Sequence, residues 1–104
     1  MNFDIHDYHP APGLLDGRVI LVTGAGDGIG ATAARSFAQH GATVVLVGRT
    51  QAKLEAVYDA IEAEGGKQPG IFVMDFAKAQ GDDYQNLFEG LDQEFGQLDG
   101  LLHN

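Results

Sequence analysis

Cysteine and tryptophan are missing from this chain of 104 residues, proline occurs three times, and lysine and arginine together number only six. Without cysteine there is no disulfide framework, no thiol nucleophile and no thiolate metal site. The apolar runs are all far too short to cross a bilayer. The first ten residues, MNFDIHDYHP, are acidic where a secretory leader is basic, and they contain no apolar stretch. The scarcity of bases matters most. Set against 15 Asp and Glu it gives a net charge of −9, which repels nucleic-acid backbones and anionic membrane surfaces alike. These absences predict a reduced, cytoplasmic, soluble domain with no nucleic-acid and no membrane partner. A hydrophobic content of 44% argues against disorder of the whole chain, and the length suits one small domain.

What the chain has in abundance is glycine, 15 residues of it. Residues 1–16 read as an N-terminal arm, because Pro10 and Pro12 cannot continue a helix or a central strand. His6 and His9 lie beside Asp4 and Asp7, which are metal-ligating types, but a solvated arm that packs locally is the better reading. From residue 17 onward the pattern changes. Val19-Ile20-Leu21-Val22-Thr23 is a continuous β-branched run, as expected of a strand buried on both faces. Ala31 to Gln39 is free of breakers and predicts a helix with Gly41 just past its end. Thr43 to Val47 reads as a second strand. Thr50 can cap a helix running to about Glu64, with Leu54, Val57 and Ile61 on one face. Ile71 to Met74 predicts a third strand ending at Asp75. Asp82 or Asp83 can cap a third helix bearing Leu87, Phe88, Leu91 and Phe95 and closed by Gly96. Leu98 to His103 predicts a fourth strand. Six acids and no base fall between Asp82 and Asp99, which marks a solvated face. Alternating strands and helices with short connections predict an α/β fold, a Rossmann-like doubly wound parallel sheet truncated after its fourth strand.

The informative segment is Thr23-Gly24-Ala25-Gly26-Asp27-Gly28-Ile29-Gly30, which leaves the first strand and opens the first helix. Glycine at a strand end permits a turn that a Cβ blocks. Glycines at a helix start let the backbone amides approach an anion, where unpaired N–H groups and the helix dipole favour negative charge. A tight turn alone needs fewer glycines than these four at alternate positions, so a pyrophosphate seat is the favoured reading. A Gly-Lys-Thr phosphate loop is excluded, since no base lies between Arg18 and Arg35.

The spacing Thr23-Gly24-x-x-x-Gly28-x-Gly30 resembles the glycine motif of the classical short-chain dehydrogenase/reductase family. Gly48-Arg49 at the end of the second strand, Asp75 at the end of the third, and Leu98-Asp99-Gly100-Leu101-Leu102-His103-Asn104 in the fourth extend the resemblance over residues 18–104. The family motif there is Asn-Asn-Ala-Gly; His103 replaces its first Asn and Asn104 matches its second. The resemblance implies a cofactor site built from Thr23, Gly24, Gly28, Ile29, Gly30, Arg49, Thr50, Asp75 and Asn104. Within it the glycines line the pyrophosphate, Asp75 takes the adenine amino group and Asn104 sits by the adenosine ribose. Asp27 is an acid beside a pyrophosphate, which predicts that it caps the helix or points outward.

Family members specific for NAD carry an acid at the end of the second strand to hold the ribose hydroxyls. Gly48 stands at that position here and Arg49 follows it. Loss of the carboxylate relieves repulsion of a 2′-phosphate, and a guanidinium binds it with charge-assisted bonds, with Thr50 adding a hydroxyl. The expected cofactor is therefore NADP(H) in preference to NAD(H).

The family's chemistry rests on a Tyr with a Lys four residues later. Tyr8, Tyr58 and Tyr84 are followed at that spacing by Pro12, Glu62 and Phe88, so no catalytic residue is assigned. The expectation is the N-terminal half, residues 17–104, of a dinucleotide-binding domain in a longer, homo-oligomeric oxidoreductase acting on a small carbonyl or alcohol. The alternative is a short, non-catalytic dinucleotide-binding or dimerising module.

Overall fold

The computed structural model of the protein describes residues 13–75 and 77–104. The arm's Asp4, His6, Asp7, Tyr8 and His9 lie outside the described residues. Seven elements follow in strict alternation: β1 (Val19–Thr23), α1 (Gly28–Gln39), β2 (Thr43–Gly48), α2 (Gln51–Ala63), β3 (Gly70–Val73), α3 (Gly81–Phe95) and β4 (Gly100–Leu102). All strand pairs are parallel, and the order across the sheet is β3-β2-β1-β4. The chain thus winds outward from β1 through β2 to β3, then crosses back to lay β4 on the other side of β1. Ligands of open α/β sheets bind beyond the carboxyl ends of the strands at such a reversal.

The central strands bury both of their faces, and their alternating side chains feed two separate cores. Val22, Val44 and Leu46 meet Ala34 and Ala38 of α1 and Leu54, Val57 and Ile61 of α2. Val19, Leu21, Val45 and Val47 meet Leu87 and Leu91 of α3 on the opposite face. Each fully buried aliphatic side chain contributes roughly 1.5–3 kcal/mol. A one-residue slip of β1 or β2 exchanges the two sets, so the register is firmly fixed.

The helices differ at their ends from the sequence expectation. α1 begins at Gly28, three residues before the alanine-rich run, and takes in both Gly28 and Gly30. The cap of α3 is Gln80 rather than Asp82 or Asp83. Asp83 acts instead from the third helical position, where its carboxylate accepts the Gln80 backbone N–H at 2.9 Å. The acid therefore closes the helix start from inside the first turn by accepting the N–H of the cap residue itself, while the Gln80 side chain accepts the Asp83 N–H. Gly41 (φ +100°) follows α1 as predicted, and Gly96 (φ +70°) ends α3 in the left-handed conformation. Phe88, expected on the apolar face of α3, is exposed instead.

β4 is shorter than predicted, pairing through Gly100, Leu101 and Leu102 with Ile20, Leu21 and Val22. Side chains fasten both of its ends. Before it, Asp99 accepts the Val19 N–H and pairs with Arg18 at 3.5 Å. The Val19 N–H, followed by Gln97 and Arg18, holds the Asp99 carboxyl below its ordinary range against the opposing effect of burial. On the other face of the sheet, Glu64 after α2 accepts bonds from Arg35 and Gln39 of α1. Those two donors, Arg35 first, keep its carboxyl below the ordinary value as well.

Candidate functional site

A cleft of about 370 Å³ opens at the carboxyl end of the sheet, where β1, β2 and β4 finish. Its floor contains Gly48, Leu54 and Met74; its walls carry Thr23, Gly24, Gly26 and Asp27 from the first turn, Arg49, Thr50 and Lys53 from the second, and Asp75, His103 and Asn104. Five predicted site residues, Thr23, Gly24, Arg49, Thr50 and Asp75, are thereby brought together with a sixth, Asn104, from three separate turns and the end of β4.

Gly24 leaves β1 with φ +61°, and a Cβ there would stand 3.0 Å from the Asn104 amide nitrogen. The same amide nitrogen donates to the Gly24 carbonyl at 3.4 Å. Thr23 is buried, and its hydroxyl accepts the Asn104 N–H at 2.9 Å while lying 3.1 Å from Nδ1 of His103. Thr23 and Asn104 therefore sew the end of β4 to the end of β1 and hold the glycine turn against them. Ala25 docks the turn on β2 by donating its N–H to the Val47 carbonyl at 3.1 Å.

Gly28, Ile29 and Gly30 form the first turn of α1 beside the cleft and are not among its lining residues. Their settings differ. A Cβ at Gly30 would overlap the Gly24 carbonyl, so this glycine is required by protein packing. At Gly28 the backbone is left-handed (φ +50°) and a Cβ would meet nothing, leaving the start of the helix open to an approaching group. Ile29 is 77% exposed.

Asp27 is the residue before α1 and makes no side-chain cap. Its carboxylate pairs with Lys53 of α2 at 3.1 Å. Lys53, in the first turn of α2, is a cation of the cleft that the sequence alone did not indicate. Thr50 caps α2 by position, with its carbonyl receiving the N–H of Lys53 and of Leu54 and its hydroxyl taking no part. Gly48 is buried, and a Cβ there would press on Leu54 at 3.0 Å. One oxygen of Asp75 accepts the Ala77 N–H at 2.9 Å, which fixes the carboxylate at the cleft wall.

Neither Tyr58 nor Tyr84 lines the cleft. Among the described residues no three metal-ligating acids or histidines cluster, and no helix is long and apolar enough to cross a membrane. The arrangement gathers two cations, Arg49 and Lys53, and a polar rim around one cleft.

Residues 18–104 match the family described as short chain dehydrogenase. The uncharacterized oxidoreductase YciK of Escherichia coli K12 is 44% identical over 97 residues, a stretch that covers 93% of this chain and 38% of that protein. A protein from Pseudomonas syringae assigned to the short chain dehydrogenases superposes with a TM-score of 0.90 at 54% identity, covering 94% of this chain and 40% of that one. One from Shigella flexneri 2a, solved as a complex with NADP, superposes with a TM-score of 0.87 at 44% identity, covering 90% and 39%. The chain thus spans about two fifths of the length of these relatives.

Proposed function

Because the chain belongs to the short-chain dehydrogenase family, we propose that it supplies the cofactor-binding half of an oxidoreductase that moves a hydride between NADP(H) and a carbonyl or alcohol substrate. One observation carries this reading: a helix start left open over Gly28 stands next to a cleft whose cations, Arg49 and Lys53, sit where β2 ends. The residues present fit the group. The open space over Gly28 at the start of α1 suits a diphosphate, and Arg49, exposed beyond the acid-free end of β2, suits the additional ribose phosphate. The complex of the Shigella flexneri relative with NADP supports the same choice.

When bound, the dinucleotide supplies or accepts the hydride. This chain's residues do the holding. The amides at the start of α1, with Gly28, Ile29 and Gly30, take the diphosphate. Gly24, Thr23 and Asn104 keep the turn in register with the sheet. Arg49 and Thr50 receive the ribose phosphate, and Asp75, with one oxygen committed to Ala77, offers the other to the adenine amino group.

The test is Arg49→Ala in the full-length protein, with NADPH and NADH titrated against it. A guanidinium–phosphate contact of this kind is worth roughly tenfold in affinity or more. NADPH binding is expected to weaken by at least that factor, and NADH binding by less than about twofold. Equal losses for the two cofactors would remove the assignment.

A further inference from the structure

Lys53 and Asp27 face each other across the mouth of the cleft, and three features of the chain bring them together. Lys53 stands in the first turn of α2, where a helical side chain leans back toward the helix start. That is the end at which Arg49 and Thr50 lie. Gly26 lets the first turn pass close against Lys53: a Cβ there would come within 2.9 Å of the lysine Cβ. Asp27, one residue later, then reaches the ammonium at 3.1 Å. Gly26 therefore serves the approach of two loops, and its role is separate from that of the open Gly28.

The pair is well solvated, with 55% of the Lys53 side chain and 72% of the Asp27 side chain accessible. Exposed pairs of this kind are weak and screened by salt. A phosphate carrying nearly two charges competes successfully with a single carboxylate for the same ammonium. Arg49 and Lys53 are the two cations lining the cleft, and Asp27 is the acid that occupies one of them.

Resting on the NADP(H) reading above, we infer that Lys53 is a second specificity-determining cation for the ribose phosphate, and that Asp27 is a built-in competitor which holds Lys53 in place and tempers the preference. In the free protein Asp27 parks the ammonium over the cleft, so the lysine does not have to be ordered from solution. In the complex Lys53 turns to the phosphate beside Arg49. Asp27 thus keeps the site from holding the phosphorylated cofactor too tightly.

The experiment uses the full-length protein and two probes that differ only in the phosphate concerned, 2′,5′-ADP and 5′-ADP, titrated calorimetrically at low salt. The quantity read is the ratio of their affinities. Lys53→Met is expected to lower the ratio about fivefold, the upper range for a solvated charge contact, and Lys53→Arg to preserve it. Asp27→Asn is expected to raise it about two- to threefold while Lys53 is present, and to leave it unchanged in the Lys53→Met background. Both side chains are exposed, and thermal melts of the variants verify that each is folded. An unchanged ratio in Lys53→Met, or an equal effect of Asp27→Asn with and without the lysine, overturns the inference. If Arg49→Ala moves the ratio and Lys53→Met does not, the NADP(H) reading stands and the role of Lys53 falls. A wild-type ratio near one, unmoved by Arg49→Ala, removes both.

Discussion

Val19 and Asp99 exchange two hydrogen bonds across the boundary between β1 and β4: the Asp99 carboxylate accepts the Val19 N–H at 2.8 Å, and the Asp99 N–H reaches the Val19 carbonyl at 2.8 Å. The first residue of β1 is thereby tied to the residue just before β4. This is a side chain standing in for a ladder partner at the sheet's amino end, and it fixes where β4 starts. Thr23 and Asn104 perform the matching service at the other end.

Acid is expected to loosen this fastening. The folded-state value of Asp99 lies below its ordinary 3.8, chiefly through the Val19 N–H, and that of Glu64 below 4.5, chiefly through Arg35. A carboxyl with a depressed value contributes stability above its unfolded value and loses it as the pH falls through the folded one. Both contributions are therefore complete at neutral pH; that of Glu64 fades below about pH 4.5 and that of Asp99 below about pH 3.8. Asp99→Asn removes its share, so its melting temperature should fall below that of the wild type at pH 7 and converge with it at low pH. Parallel curves at all pH values would contradict this.

Gly28 and Gly30, two residues apart, should fail in opposite ways. Gly30→Ala drives a methyl into the Gly24 carbonyl, and overpacking against backbone costs about 2 kcal/mol or more. Gly28→Ala meets no protein atom; its left-handed backbone costs about 1 kcal/mol. Urea denaturation should thus show the greater loss for Gly30→Ala. NADPH titration of the folded Gly28→Ala protein should show roughly tenfold weaker binding, because the methyl occupies the open helix start.

Leu54 links the cleft to the core. It is fully buried among the residues packing α1 and α2 on the sheet, and it also lines the cleft beneath Gly48. Leu54→Ala should cost about 3 kcal/mol, read from denaturant unfolding. Cofactor affinity should fall as well, since the floor that sets the position of Arg49 and Lys53 gives way.

The sequence revealed those parts of the fold and site that local chemistry determines. The β-branched run 19–23, the glycine turn after it and the positive-φ Gly41 each state their conformation through residue type. Thr23, Gly24, Arg49, Thr50, Asp75 and Asn104 lie around one cleft because parallel strands deliver their carboxyl ends to one side of a sheet. Other features depend on partners far away in the chain. Asp99 and Val19 are 80 positions apart, and nothing near either residue announces the pair. Lys53 reads as an ordinary helical lysine until the first turn brings Asp27 beside it. The cap of α3 lies at Gln80 because Asp83, three positions on, completes a reciprocal pairing with it that neither residue signals alone.

The two sides of the sheet are covered unequally. Among the described residues α3 buries only Leu87 and Leu91, whereas α1 and α2 between them bury Gly30, Ala34, Ala38, Leu54, Val57 and Ile61. Local opening begins where the least apolar surface has to be re-wetted. Deuterium should therefore enter the amides of α3 well before those of α1 and β2, and the glycine turn between β1 and α1 should outlast the back wall of the molecule.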